Sequence, residues 1–261
     1  MIIDTHCHLD FDWFDGERDL IVSQAIRAGV ERIIVPALDL NNVQAVLSLA
    51  ERFDCVFAAV GVHPNSSAGW QDEWIELLMN YARHSKVVAI GEIGLDYYRD
   101  RSPKSMQHNA LTAQLQLAHD LNLPVIIHNR DSNSDILNLL SNSPIIQQPK
   151  PGVFHSFLTD WETAKQALDL GFTIGFTGPL TYKNSQNLRE VARRVPVDRI
   201  VVETDAPFLA PQSRRGKRNE PANTVEMVQC LAQIRGQSEE EIAQITTANA
   251  LNLFGKSLLD Q

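Results

Sequence analysis

Eight short runs of β-branched and other apolar residues recur along the chain, and they constrain its fold more than any other feature. Several are almost continuously apolar, as in VVAIGEIGL and PVIIHN. Strands of this kind are buried on both faces, which is typical of a parallel sheet covered by helices. The runs begin at or near residues 2, 32, 56, 87, 124, 152, 172 and 199.

Segments with a helical period separate these runs. One such segment has an apolar face made of Val43, Val46, Leu47 and Ala50. Gly29 and Gly171 each stand where a helix should end before the next strand, as left-handed caps do. Eight strand–helix units in this length predict a (β/α)₈ TIM barrel. The pattern leaves an open doubly wound sheet as the alternative, although no G-x-G-x-x-G follows the first strand.

A ninth helical stretch follows these units at the C-terminal end. Ser238 and Glu241 have the spacing of a capping box, and we expect this helix to pack against the outside of the barrel. No linker, charge block or low-complexity segment marks an internal boundary. We therefore expect a single domain over residues 1–261, which is long enough to bury a sizeable core.

Charge and cysteine content narrow the classes of protein. The net charge of −9 opposes non-specific binding of nucleic acid, so any phosphate binding must be local. Three scattered cysteines without a CxxC motif fit a reducing compartment. No leader pattern is visible, and no apolar run approaches the roughly 18 residues that span a bilayer. We expect a cytoplasmic protein with no membrane contact and no obligate protein partner.

Histidines and carboxylates stand at the ends of the predicted strands, where barrel enzymes build their active sites. A single histidine at such a place is more often structural than functional. Five histidines from four strands, together with two carboxylates, instead predict a cluster of ligands. Imidazole and carboxylate ligands suit Zn²⁺, Mn²⁺ or a related divalent ion. Glu92 lies late in strand 4, and the residues that end their strands are His6, His8, His63, His128, His155 and Asp205.

The alternation of side chains along a strand orients the first of these residues. His6 and His8 point to the same face, so both can enter the mouth of the barrel, while Cys7 points toward the helices. Asp4 shares the inward parity one layer deeper. It is either an acceptor that fixes a histidine tautomer or a buried, hydrogen-bonded carboxylate.

Seven stretches in a fixed order carry a resemblance to a known family: IIDTHCHLD, GVHP, AIGEIGLDYYR, PVIIHNR, GVFHSF, IVVETDAPFLAP and RGKRNEP. Over nearly its whole length the chain resembles the TatD family of metal-dependent deoxyribonucleases, in the amidohydrolase superfamily. The resemblance implies a barrel with two divalent ions, with zinc, manganese and magnesium as the candidates, and with Glu92 able to bridge them. The ligands that it implies are His6, His8, Glu92, His128, His155 and Asp205.

Two positions distinguish this chain from relatives. Many binuclear amidohydrolases bridge their metals with a carboxylated lysine from strand 4, but here Glu92 occupies the strand and the nearest lysine, Lys86, precedes it. After Arg130 the family usually has an acidic residue at the position where Ser134 stands, and Asp135 comes one residue later. This departure falls at the start of the next helix and leaves the ligands intact.

The expected chemistry uses these metals. Two ions roughly 3.5–4 Å apart can activate a water, lowering its pKa to about 7, and can clamp the entering and leaving oxygens of a displacement at phosphorus. Asp205 is the candidate to orient the water and take its proton. His63 could donate to a non-bridging oxygen. Glu203 has the same parity as Asp205, and we assign it a buried, hydrogen-bonded structural role.

A basic segment after strand 8 bears on the substrate. SRRGKR places Arg214, Arg215, Lys217 and Arg218 within six positions of an otherwise acidic protein. A phosphodiester backbone needs cations beside the metals, and Arg130 could add a forked contact to a phosphate. Tyr97 or Tyr98 could stack on an unpaired base, although either could equally be a core aromatic.

Three functions are compatible with these residues. The first is a deoxyribonuclease that acts on single-stranded or terminal DNA with two divalent metals. The second is a metal-dependent hydrolase of a small ester, amide or lactone, since the same activated water can attack a carbonyl. The third, disfavoured by the complete ligand set, is a metal-binding protein without catalysis. A basic segment beside the metals favours the first function.

Overall fold

A computed structural model describes residues 1–99 and 101–259. Within it, eight parallel strands form one sheet in the order of the sequence. The strands are β1 (Ile2–Asp4), β2 (Val30–Pro36), β3 (Val56–Val60), β4 (Val87–Asp96), β5 (Val125–Arg130), β6 (Gly152–Phe154), β7 (Thr173–Phe176) and β8 (Ile200–Val202). β3 and β4 are buried at every residue, as the continuously apolar runs predict.

Helices alternate with the strands. They are α1 (Arg18–Arg27), α2 (Val43–Arg52), α3 (Trp74–Ala82), α4 (Lys104–Leu121), α5 (Asn133–Ser141), α6 (Trp161–Asp169), α7 (Gln186–Arg194), α8 (Thr224–Arg235) and α9 (Glu239–Phe254). Gly29 and Gly171 have φ values of 89° and 93°, so both adopt the left-handed conformation predicted for them. The (β/α)₈ barrel is confirmed, and the open doubly wound alternative is wrong.

The chain divides into two compact units. The first unit comprises Met1–Val35, Ser156–Lys165 and Thr173–Gln261, and the second comprises Pro36–His155 and Gln166–Phe172. Within the first unit, the amide of Thr5 donates to the carbonyl of Val202 and the amide of Asp205 donates to the carbonyl of His6. These bonds join the segments that follow β1 and β8. The expectation of one domain over residues 1–261 stays a prediction.

The additional C-terminal helix α9 is confirmed, with its capping box. The Ser238 hydroxyl accepts from the amide of Glu241, whose carboxylate accepts from the amide of Ser238. The helix packs on the first unit, where the Thr247 hydroxyl donates to the carbonyl of Met1 and Asn249 donates to the carbonyl of Ile200. Because these carbonyls lie at the start of β1 and β8, α9 packs against the N-terminal ends of these two strands.

Candidate metal centre

The buried carboxylate of Asp4 organises the first of two candidate metal-binding clusters, which lies in the first unit. Its Oδ1 accepts from the amides of His6, at 3.3 Å, and Thr204, at 2.9 Å, and its Oδ2 accepts from the Thr204 hydroxyl. Burial raises the pKa of Asp4 to about 7, against these hydrogen bonds, which lower it. Of the two readings of Asp4, the buried, hydrogen-bonded carboxylate is confirmed: it fixes the backbone after β1 and β8.

Three donor atoms converge beyond this carboxylate. The Nε2 atoms of His6 and His8 lie 3.2 Å apart. The Oδ1 atom of Asp205 lies 3.4 Å from Nε2 of His8 and 3.8 Å from Nε2 of His6. Asp205 adopts a positive φ of 56°, and its own amide bonds back to His6, so its backbone position is fixed. We name these three residues the HxH cluster.

The spacing of the HxH cluster fits a metal ion. Ligand atoms about 2.0–2.1 Å from a tetrahedral zinc ion lie about 3.3 Å from one another. The three observed separations, 3.2, 3.4 and 3.8 Å, are close to that value. A group of two imidazoles and one carboxylate is also a donor set that zinc and manganese accept. The cluster could therefore hold one divalent cation.

A second cluster surrounds Glu92 in the second unit. Oε1 of Glu92, a buried residue, lies 2.8 Å from Nδ1 of His128, 3.6 Å from Nε2 of His63 and 3.9 Å from Nε2 of His155. One donor atom each from His63, Glu92 and His128 lies within 4.8 Å of the others. We name Glu92 and these three histidines the Glu92 cluster, and it too could hold a cation.

Gly94 is required for the close approach of β4 to β5, the strand that carries His128. It has a φ of 150°, and a Cβ atom on it would lie 1.9 Å from the carbonyl oxygen of His128. No other residue type could occupy this position without displacing His128. The glycine in GEIGLD therefore belongs to the geometry of the Glu92 cluster.

Asp96 is a site residue that the sequence analysis missed. It is fully buried, and its Oδ2 lies 3.2 Å from Nε2 of His128 and accepts from the Asn65 side chain at 3.0 Å. Burial raises its pKa, but the bonds from His128 and from the Arg99 amide outweigh burial and lower the pKa well below the usual value. The pKa of His128 is raised, because bonds to Asp96 and Glu92 outweigh its desolvation.

Glu203 is buried and hydrogen-bonded, as predicted, while its purely structural role stays a prediction because it also belongs to a group of residues that could hold a metal. It is fully buried; one carboxylate oxygen accepts from the Thr5 hydroxyl at 3.2 Å and the other from the amide of Ser156. It thereby ties the segment after β1 to the segment after β6. Cys7 is also fully buried, and burial raises the pKa of its thiol well above the ordinary value.

The two candidate tyrosines have different environments. Tyr97 is only partly exposed. Its hydroxyl donates to Asp135 at 2.6 Å and also lies 2.6 Å from Nε2 of His108. The ammonium group of Lys104 lies over its ring. Tyr98 is 63% exposed, with the guanidinium of Arg130 4.0 Å above its ring. Base stacking by Tyr97 stays a prediction, and the open ring in this loop is that of Tyr98.

The four basic residues after β8 fall into two groups. Arg214, Arg215 and Lys217 are exposed. Arg218 is partly buried and is held by Glu17 at 2.7 Å, by Glu220 at 3.0 Å and by the carbonyl of Trp13. These bonds raise its pKa against the effect of burial. Substrate binding by the four residues stays a prediction, in which Arg218 has a competing structural role.

A (β/α)₈ barrel with imidazole and carboxylate clusters beyond its strands is typical of one class of protein, the metal-dependent hydrolases. A family model described as TatD related DNase matches residues 3–255, and the chain belongs to this family. Within the described residues, no helix has both the length and the apolar character needed to cross a membrane.

Similar proteins agree with this assignment. The chain is 38% identical over 254 residues to the uncharacterized metal-dependent hydrolase YabD of Bacillus subtilis, covering 97% of this chain and 99% of the relative. It is 35% identical over 259 residues to the 3'-5' ssDNA/RNA exonuclease TatD of Citrobacter koseri, covering 97% and 99%. The crystal structure of YJJV, a TatD homolog from Escherichia coli, superposes with a TM-score of 0.91 at 36% identity, covering 97% of each chain.

Proposed function

We propose that the protein is a nuclease that hydrolyses phosphodiester bonds of DNA, with an unpaired or terminal strand as substrate. The observation that carries this proposal is the exposed group Arg214, Arg215 and Lys217, in the segment that follows Asp205. A small neutral ester gives no reason for three solvated cations there, whereas a polyanionic strand does. The relative from Citrobacter koseri, named as an ssDNA/RNA exonuclease, supports the same substrate class.

We assign one divalent cation to each cluster. His6, His8 and Asp205 would hold one ion, and Glu92, His128 and His155 the other, with the bridging role of Glu92 retained as a prediction. When bound, divalent cations would supply Lewis-acid chemistry, activating a water and neutralising charge on a phosphoryl oxygen. Zinc and manganese suit the imidazole-rich donor set best, and magnesium, which prefers oxygen, suits it least.

His63 is the donor in this proposal and not a third histidine ligand. Its Nδ1 accepts from the amide of Asn65 at 3.0 Å, so a neutral His63 carries its proton on Nε2. A protonated Nε2 cannot ligate a cation, but it can donate to a non-bridging phosphoryl oxygen. Asp205, as a carboxylate, would orient the attacking water and accept its proton.

To test this proposal, the purified protein is loaded in turn with Zn²⁺, Mn²⁺ and Mg²⁺. Each form is then incubated with end-labelled single-stranded DNA, double-stranded DNA and RNA. A nitrophenyl ester serves as the parallel substrate. We expect metal-dependent cleavage of the single strand. Hydrolysis of the ester without cleavage of any nucleic acid would replace the nuclease proposal with a small-ester hydrolase, and the RNA arm decides between DNA and RNA.

A further inference from the structure

A pocket of about 380 Å³ opens beside the HxH cluster, within the first unit. Trp13 and Phe208 line one part of it, and Tyr182, Arg215 and Lys217 line another. Its volume is in the range of sites that bind small ligands. The HxH residues do not line this pocket, and no role in the proposed hydrolysis has been given to its aromatic residues.

The pocket exposes aromatic rings that a core would bury. Trp13 is 54% exposed and Phe208 is 41% exposed, with their ring centroids 5.9 Å apart. Leaving two adjacent large aromatic side chains in water forgoes hydrophobic stabilisation, and adjacent exposed apolar groups of this kind mark binding sites. A flat apolar ligand would cover both rings and recover that stabilisation.

The aromatic residues connect the pocket with the HxH cluster. The Phe208 ring lies 6.3 Å from the ring of His8, and the Phe11 ring packs against both, 5.0 Å from His8 and 5.7 Å from Phe208. A ligand held against Phe208 and Trp13 would thus lie about one ring beyond a metal ligand. That spacing is compatible with a group that adjoins the bond that is cleaved.

Cations border the same pocket. The guanidinium of Arg215 lies 4.4 Å above the ring of Tyr182, and the side chain of Lys217 is exposed. Among the described residues, no carboxylate forms an ion pair with Lys217 or Arg215. A ligand with both a flat aromatic part and an anionic part would therefore complement the pocket.

We propose that this pocket holds the unpaired nucleobase of the nucleotide next to the scissile phosphate, stacked on Trp13 and Phe208, with the adjoining phosphate on Arg215 and Lys217. The proposal rests on the proposed nuclease function and adds a reason for a single-stranded substrate. A base that is paired in a duplex has both faces stacked and cannot enter. Stacking on an aromatic side chain tolerates every base, so we expect little sequence preference.

The test compares metal-loaded Trp13→Ala with the unmodified protein on two substrates, an oligothymidylate and a strand of the same length whose residues are abasic. In the unmodified protein the abasic strand should have the higher KM. Trp13→Ala should reduce this difference by about fivefold or more, since loss of one stacking partner weakens binding by that amount. Trp13→Phe keeps a ring and should retain most of the difference. Ile26→Ala removes a side chain of similar exposure, 50%, in α1 and should change neither KM.

A second measurement does not depend on cleavage. A phosphorothioate tetrathymidylate, titrated into the metal-loaded protein, should quench tryptophan fluorescence, and Trp13→Phe should abolish that quenching. If no strand is cleaved, the proposed nuclease function is wrong, but the fluorescence titration still tests whether the pocket binds a base. Equal changes in KM for the two strands, or quenching that persists in Trp13→Phe, would overturn the base pocket even if the protein is a nuclease.

Discussion

The Nε2 atom of His128 lies 3.2 Å from the buried carboxylate of Asp96, while its Nδ1 atom lies 2.8 Å from Glu92. Both ring nitrogens of this histidine are therefore held by carboxylates. A carboxylate that orients a metal-binding imidazole is common in metal centres, and its loss costs affinity although it touches no metal. We therefore predict that Asp96 positions His128 in the Glu92 cluster.

Asp96→Asn should weaken metal binding about 10- to 100-fold, because the amide keeps the shape of the side chain but loses the charge that orients His128. Calorimetric titration of the metal-free variant with zinc measures this change. Asp135→Asn is the matched control, because it alters a carboxylate that contacts Tyr97. Equal zinc affinities in the two variants would remove Asp96 from the centre.

Much of the site could be predicted because it follows from alternation along a strand. The Nε2 atoms of His6 and His8 converge as that alternation predicts, although β1 ends at Asp4. Glu92 lies late in one recognisable apolar run, and His128 ends another. Asp96 has the same parity as Glu92 and could have been found, but the prediction ended β4 one residue earlier. The pairing of Arg218 with Glu17 joins residues 201 positions apart, and sequence spacing carries no signal for it. Likewise, only packing decides which of Tyr97 and Tyr98 is engaged by neighbours.

Glu92→Ala should abolish metal-dependent turnover while the protein stays folded. The carboxylate lies among three histidines, so its removal takes a charge from the ligands and leaves the apolar packing of β4 in place. Metal content by elemental analysis and far-ultraviolet circular dichroism measure the two effects. Full metal occupancy with an unchanged rate would contradict the ligand and bridging roles.

Glu203→Gln is the comparison for that variant. Glu203 is buried and bonded to Thr5 and Ser156, so the amide should lower Tm by a few degrees while metal binding and turnover persist. A loss of metal in Glu203→Gln as large as that in Glu92→Ala would show that Glu203 is also a ligand.

Cys7→Ser should retain activity. Alternation turns residue 7 away from the side chains of His6 and His8, and its backbone amide is bonded to Ile34 in the first unit. The buried hydroxyl should cost about 1–3 kcal/mol of stability if it finds no partner, and less if it bonds to Thr204. Turnover and Tm are measured together. If turnover falls by several orders of magnitude while the variant stays folded, one of two assignments is wrong. Either residue 7 faces the metals, or the nucleophile is not a water activated by the metals alone.

The basic residues after β8 should separate into binding and structural groups. Replacing Arg214, Arg215 and Lys217 with glutamine should chiefly raise KM for a single-stranded oligonucleotide, because all three are exposed. The salt dependence should also flatten, since each lost phosphate contact lowers the slope of log K against log salt by about 0.7. Hydrolysis of bis-nitrophenyl phosphate, which reaches no distant phosphate, should survive.

Arg218→Gln should behave differently, because Arg218 bonds to Glu17, to Glu220 and to the carbonyl of Trp13. We expect a lower Tm and similar losses on the oligonucleotide and the small phosphodiester, since the change disturbs the packing that holds the segment after β8. Kinetics of both substrates across a salt series, measured on the triple variant and on Arg218→Gln, distinguish the two groups. If the triple variant has unchanged kinetics on the oligonucleotide, these three residues do not make the proposed phosphate contacts. If Arg218→Gln loses activity on the oligonucleotide alone, Arg218 binds substrate and its role is not only structural.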